Sequence, residues 1–265
     1  MNEWIEKSIK LANSEGYLDK LFQIYPIEVG EIRDIPEEVM LEIKKAFAIK
    51  DSLRLIKALL KLPKFPIDHP YISILRNHPY LIEKNKKAIE KIVERVLSMD
   101  VYTIFLLASR PKSPSRQLGY SFKKWLKNIG YPFLKDNEFI KSSGVFFLEG
   151  TEKDLFSFAT DRLKLEKLRR RPDFILKINN IYFVGEAKFL TDYGGSQNNQ
   201  FDGAIEMAEL KSENVIGIAI LDGIIWFESK SYMHRKIKTL EGLALSALLL
   251  KEFIEKVSQT SQRVF

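Results

Sequence analysis

Two apolar runs separated by a pair of asparagines restrict the fold of this chain more than any other feature: FILKI (Phe174 to Ile178) and YFVGEAKF (Tyr182 to Phe189), on either side of Asn179-Asn180. Asn tolerates the positive φ of a tight two-residue turn, so the pair predicts a β-hairpin with Ile178 opposite Ile181. The same register carried outward sets Asp173 opposite Glu186. Side chains alternate along a strand, so Lys188 projects from the same face as Glu186. The other face carries Phe174, Leu176, Ile178, Phe183 and Phe189, with Gly185 leaving room there.

Directly opposed side chains on paired strands lie ~4.5 to 5.5 Å apart, and like charges there repel. Two such carboxylates share a proton or bind a cation. A hard, oxygen-seeking Mg²⁺ suits them. Lys188 beside them is kept charged by its acidic neighbours and is placed to hold a phosphate or a water molecule. Phosphodiester hydrolysis uses these parts: a metal to activate water and offset charge, and a cation to orient the phosphate. A Glu-x-Lys triplet on a strand is by itself commonly a solvated face. The hairpin register is what joins it to Asp173.

Pro172-Asp173 followed by Glu186-Ala187-Lys188 resembles the PD-(D/E)xK nuclease superfamily. Within it, the stretch GEAKFLTDYGGSQNNQ is similar to type II restriction endonucleases, over residues 110–225. The resemblance implies a restriction-endonuclease-like α/β (α+β) core, a mixed central sheet flanked by helices. It also implies Mg²⁺, with Mn²⁺ as a substitute, held by Asp173, Glu186 and the backbone carbonyl of Ala187, with Lys188 as the catalytic lysine. The implied substrate is double-stranded DNA, cut at a specific site by a homodimer that works beside a cognate methyltransferase. Relatives often add an upstream acid on a helix. Glu149 is the candidate here, and Glu138 a second.

The remaining chain is read in two regions. Residues 1–105 are expected to be helical, for dimer contacts or DNA recognition, with stretches over Asn2 to Ala12, Ile35 to Leu62 and Tyr80 to Leu97. Residues 106–265 are expected to hold the nuclease core. There SRPKSPS (Ser109 to Ser115) reads as a loop and Gln117 to Asn128 as a helix. Strands are expected over Val145 to Leu148, Phe174 to Ile178, Tyr182 to Phe189 and Val215 to Leu221. Helices are expected over Lys153 to Leu168, Gln197 to Leu210 and Leu240 to Val257. A repeated His-Pro-Tyr at His69 and His78 reads as two turns that start helices.

Composition removes several other chemistries. With no cysteine, thiolate zinc sites, disulfides and cysteine nucleophiles are excluded, and the three histidines lack metal-ligand spacing. Gly194-Gly195 does not follow the P-loop pattern. The N-terminus carries acids where a secretory signal would be basic, and no apolar run reaches bilayer length, so a cytoplasmic protein is expected. Lys and Arg exceed Asp and Glu by 42 to 35, a net +7 that suits a polyanion. Candidate DNA contacts are Arg169, Arg170 and Arg171 leading into the site, and Arg110, Lys112 and Arg116 before a helix. Gln197, Asn198 and Gln200 at a helix N-terminus complete the set. A solvated helix face and ordinary capping are the plainer readings of these groups. The alternative functions are a repair or recombination nuclease, such as a junction resolvase, and a non-catalytic DNA-binding protein.

Overall fold

The computed structural model describes residues 2–26, 32–111, 114–166 and 168–262, with the side chains of 114–116 and 261–262 outside the description. The chain forms two compact units, residues 28–113 and residues 1–27 with 114–265.

The larger unit starts with α1 (Glu3–Ala12) and α2 (Tyr17–Ile24). The first hundred residues therefore do not form one region, as the pattern alone suggests. Both helices are amphipathic, and their apolar faces (Trp4, Ile5, Tyr17, Leu21) are buried with Trp226 and Phe253 from far along the chain. Trp4 meets Phe253 edge to face, with ring centroids 5.4 Å apart.

The unit 28–113 is helical: α3 (Glu37–Ala48), α4 (Ser52–Leu59), α5 (Tyr71–Asn77), α6 (Leu81–Lys84), α7 (Lys86–Leu97) and α8 (Val101–Ala108). Its core gathers Ile43, Leu55, Ile56, Leu59, Val93, Val96 and Ile104. The expected single helix over 35–62 is broken, because Lys50 turns left-handed (φ 52°) and the Asp51 side chain caps the Arg54 amide. The 80–97 stretch breaks at Asn85, whose φ of −127° lies outside the helical range. Both His-Pro-Tyr sequences lead into helices, α5 and α6.

The rest of the larger unit runs α9 (Pro114–Lys127), β1 (Phe133–Leu134), α10 (Asp136–Lys141), β2 (Val145–Leu148) and α11 (Glu152–Ser157). Then come β3 (Phe174–Ile178), β4 (Ile181–Leu190), α12 (Gly195–Ala208), β5 (Lys211–Ser212), β6 (Val215–Gly223), α13 (Tyr232–Thr239), β7 (Leu243–Leu245) and α14 (Leu250–Gln262). The strands form a mixed sheet in the order β1-β2-β3-β4-β6-β5, with β7 also pairing β6. β2, β3 and β4 are antiparallel, whereas β4 and β6 run parallel, joined by the crossover helix α12. This is the expected mixed α/β architecture flanked by helices.

Three boundaries differ from the periodicity. α9 begins at Pro114, inside the expected loop. α11 passes into a π-helical turn over Phe158–Arg162 and ends there, rather than running to 168. The last helix begins at Leu250, because Leu243–Leu245 are drawn into the sheet against Ile218 to Ile220.

Period-two burial divides the hairpin as alternation requires. Phe174, Leu176, Ile178 and Phe183 enter the core shared with α1 and α14, while Ile175, Tyr182 and Val184 pack with Phe139, Leu155 and Phe158. Gly185 is needed where it stands: a Cβ there would lie 2.1 Å from the Phe174 ring, which fills the space the glycine leaves.

Candidate active site

Asn179 adopts φ 55°, and the strands it joins pair Ile178 with Ile181 and Phe174 with Gly185. The ladder ends there: the Asp173 amide donates to the Gly185 carbonyl at 2.8 Å, so Asp173 shares Gly185 with Phe174 and does not pair with Glu186 in register. Asp173 therefore departs from the direct pairing with Glu186 that the hairpin register predicts, and the two carboxylates meet through Lys188. Its Oδ2 accepts from the Ala187 amide at 3.0 Å, which fixes the carboxylate against β4. Lys188 Nζ reaches Glu186 Oε1 at 2.9 Å and Asp173 Oδ2 at 3.5 Å. The three groups share one patch. Glu186 is 4% exposed, and its Oε2 is buried with no hydrogen-bond partner.

Two further residues reach this patch. Lys123, on α9, contacts Glu152 Oε1 and lies 3.4 Å from Asp173 Oδ1. Glu152 opens α11 directly after its cap, Thr151, whose hydroxyl and the Asp154 carboxylate form a capping box. Partial burial pulls the Lys123 ammonium down, but hydrogen bonding to Glu152 and attraction to Asp173 outweigh it and hold the group above its ordinary value. Glu152 is held below the ordinary glutamate value by its hydrogen bond and Coulombic attraction to Lys123, with Arg171 and Lys188 adding to the effect. Neither residue stands out in sequence, because Lys123 is one of several lysines on α9. The only signal available was the Thr-x-x-Asp capping pattern, which places Glu152 in the first turn of a helix.

The expected upstream acid, Glu149, is exposed. It lines a cleft with Asp136, Asp154, Asp161 and Arg162 and makes no contact with the three charged groups. The helix acid that joins the patch is Glu152, three residues on. Glu138 is exposed on α10.

β4 leaves the patch through Gly194 (φ 99°) and Gly195 (φ 52°), left-handed positions that admit a sharp bend into α12. Gln197 folds back from the helix start, its Oε1 accepting from the Thr191 amide at 3.4 Å. Asn198 and Gln200 are half-buried on the same first turns. Arg169, Arg170 and Arg171 are exposed just before β3. Arg169 and Arg170 line a groove with Gly203, Glu206 and Met207, where the Arg170 guanidinium donates to the Asn199 carbonyl at 3.4 Å. Only Arg171 is coupled to the patch, through Glu152. Arg110 is exposed in the helical unit, while Lys112 and the Arg116 side chain lie outside the described residues.

Behind β4, a buried polar network holds the strand end that carries Lys188. Asp222 on β6 pairs with Phe189 and is fully buried. It accepts from Ser246 Oγ at 2.5 Å, Tyr25 OH at 2.7 Å and the Ala247 amide at 3.2 Å. Burial pushes its carboxyl up to about 7, against the lowering effect of those three donors. The Tyr25 ring packs edge-on against Phe189 at 4.9 Å. Burial and the Asp222 charge also hold the Tyr25 hydroxyl well above the usual phenol value.

Among the described residues, no three His, Cys, Asp or Glu side chains converge into a ready-made cage for a metal ion. The donors on the hairpin itself are the Asp173 and Glu186 carboxylates and the β4 backbone at Ala187, with Glu152 reaching the patch only through Lys123. Mg²⁺ fits such a sparse set, because it keeps several waters and commonly takes one or two carboxylates. The unpartnered Glu186 Oε2 is the specific observation that fits a cation there, since a buried acceptor without a donor is otherwise costly.

A mixed sheet flanked by helices, with an Asp at one hairpin strand and Glu-x-Lys on the other, defines a restriction-endonuclease-like protein. The family model for the Tsp45I type II restriction enzyme matches residues 2–257. The chain belongs to that family of type II restriction enzymes, which are site-specific DNA endonucleases. No curated protein and no solved structure matches it. Among the described residues, no helix is long and apolar enough to cross a membrane.

Proposed function

We propose that the protein is a Mg²⁺-dependent endonuclease that hydrolyses phosphodiester bonds of double-stranded DNA at a specific sequence, and that Asp173, Glu186 and Lys188 are its catalytic residues. The observation that carries this reading is the buried Glu186 carboxylate, with one oxygen on Lys188 and the other without a donor, beside Asp173. Asp173, Glu186 and the Ala187 carbonyl would hold the metal. When bound, Mg²⁺ supplies Lewis-acid activation of water and neutralises charge building on the phosphate. Lys188, held against both carboxylates, would orient the scissile phosphate and the attacking water. The Ala187 amide fixes the rotamer of Asp173, so the carboxylate is aimed before substrate arrives.

Cutting both strands at a two-fold-symmetric site calls for two copies of this patch, which a homodimer supplies. Arg171, next to the patch, is the best placed of the candidate phosphate contacts. In a cell this activity requires a cognate methyltransferase to protect the host DNA, and a cytoplasmic location.

The test is digestion of plasmid and phage DNA with and without Mg²⁺, using wild type, Glu186→Gln and Lys188→Met. Discrete fragments should form only with metal, and each variant should lose at least about 100-fold in rate, the scale of removing one transition-state group. Metal-independent cutting, or variants as active as wild type, would sink the assignment. Preferential cutting of branched DNA would point instead to a resolvase.

A further inference from the structure

Five charged groups in the patch form one chain of contacts: Glu186, Lys188, Asp173, Lys123, Glu152. Each Asp173 oxygen faces a different ammonium, with Oδ2 toward Lys188 and Oδ1 toward Lys123. The two lysines are held differently. Lys188 rises from the central strand β4, its side chain 24% exposed and its partner Glu186 5% exposed. Lys123 reaches in from the flank of α9, 38% exposed, and its stronger partner Glu152 is 51% exposed. One cation is built into the sheet. The other is at the rim, with solvent beside it and an exposed carboxylate as its anchor.

We infer that Lys123 is a releasable internal counter-ion: its ammonium neutralises Asp173 and Glu152 in the metal-free enzyme, and it must leave Asp173 Oδ1 before a divalent cation can bind there. The inference rests on the assignment of Asp173 as a metal ligand. It follows from charge balance. Three carboxylates against two ammoniums leave a single net negative charge in a patch already ion-paired, so an arriving dication competes with Lys123 for the same oxygen and is repelled by its charge. Lys188 is the harder of the two to displace, because it is the less exposed and its nearer partner, Glu186, is buried in the sheet. Lys123 can turn outward along α9 without disturbing the sheet, and its released ammonium is then free for an anion such as DNA phosphate.

The test is calorimetric titration of MnCl₂ into DNA-free wild type, Lys123→Met, Lys123→Arg and Asp173→Asn. Circular dichroism would confirm that each variant is folded. Lys123→Met should bind Mn²⁺ at least about threefold more tightly than wild type, since it loses both the competing ion pair and the like-charge repulsion. Lys123→Arg keeps the charge and should bind no more tightly than wild type. Equal or weaker binding by Lys123→Met, with wild type and Asp173→Asn still differing from each other, overturns the role given to Lys123 and leaves the metal site standing. No binding by wild type, or binding that Asp173→Asn leaves unchanged, removes the metal ligand itself and this inference with it.

Discussion

Asp222 supports a quantitative prediction about pH and stability. Its carboxyl is fully buried and pushed up to about 7, whereas an unfolded aspartate titrates near ~3.9. The folded protein therefore binds this proton more tightly than the unfolded chain. The stability contributed by the protonated acid is complete below about pH 4 and is lost as pH rises through about 7. A gap of roughly three pKa units corresponds to about 4 kcal/mol over the full window, of which about 2 to 3 kcal/mol falls between pH 5 and pH 8. Asp222→Asn keeps the shape and cannot titrate. The assay is urea unfolding of wild type and variant at both pH values, followed by tryptophan fluorescence. All three tryptophans, Trp4, Trp125 and Trp226, lie in the unit that contains Asp222. The variant carries a fixed cost or gain from its altered hydrogen bonds, which cancels in the comparison between pH values. What remains should be a relative gain for Asp222→Asn of about 2 to 3 kcal/mol on going from pH 5 to pH 8. A stability difference between the two proteins that is the same at both pH values would show that Asp222 does not titrate in this window, and the reasoning from burial would fail.

Three other perturbations test how the hairpin is built. Lys177 is buried and its ammonium donates to the carbonyls of Phe139, Ile140 and Ser142, so Lys177→Met should cost at least about 2 kcal/mol in urea unfolding by leaving those acceptors unpaired. Gly185→Ala drives a methyl into the Phe174 ring and should cost about 1 to 3 kcal/mol; adding Phe174→Leu should recover part of that, and a double-mutant cycle with no coupling would contradict the contact. Asn179→Gly should fold and cut as wild type does, whereas Asn179→Val should lose about 1 kcal/mol or more because its φ of 55° opposes a β-branched side chain; equal melting temperatures for the two would refute the turn geometry.

The hairpin and its three charged residues were legible in the sequence because every step was local. A two-residue turn sets the register, and a period of two sets the face. Lys123 and Glu152 were not legible for the opposite reason. Each joins the patch through packing between elements distant in sequence, α9 and α11 against the hairpin, and nothing in a run of lysines marks the one that points inward. Similar physics explains the misplaced helices. Ile35 to Leu62 keeps a continuous apolar stripe across two helices, so periodicity carries through a break that only the left-handed Lys50 reveals. Leu243 to Leu245 are equally apolar in a helix or a strand, and the open edge of β6 decides between them. Glu149 and Glu152 lie close in sequence, yet the strand end and the helix cap between them send their side chains to different places.

Two buried acids on paired neighbouring strands are satisfied to very different degrees. Asp222 on β6 is met by three donors from Tyr25, Ser246 and Ala247, so it joins the end of α2, β6 and the segment before α14 with its oxygens satisfied. Glu186 on β4 is almost as deeply buried, but it is met by a single ammonium, and one oxygen has no donor. Replacing a buried ion pair with apolar groups is often neutral or stabilising, so stability alone does not account for Glu186 and Lys188 on a mostly apolar central strand. Unsatisfied buried polar groups call for a specific explanation, and a ligand that completes the shell is the one that also accounts for Asp173 being aimed at the same spot by the Ala187 amide. The saturated acid ties scaffold elements together, and the unsaturated one is the acid that the proposed function uses.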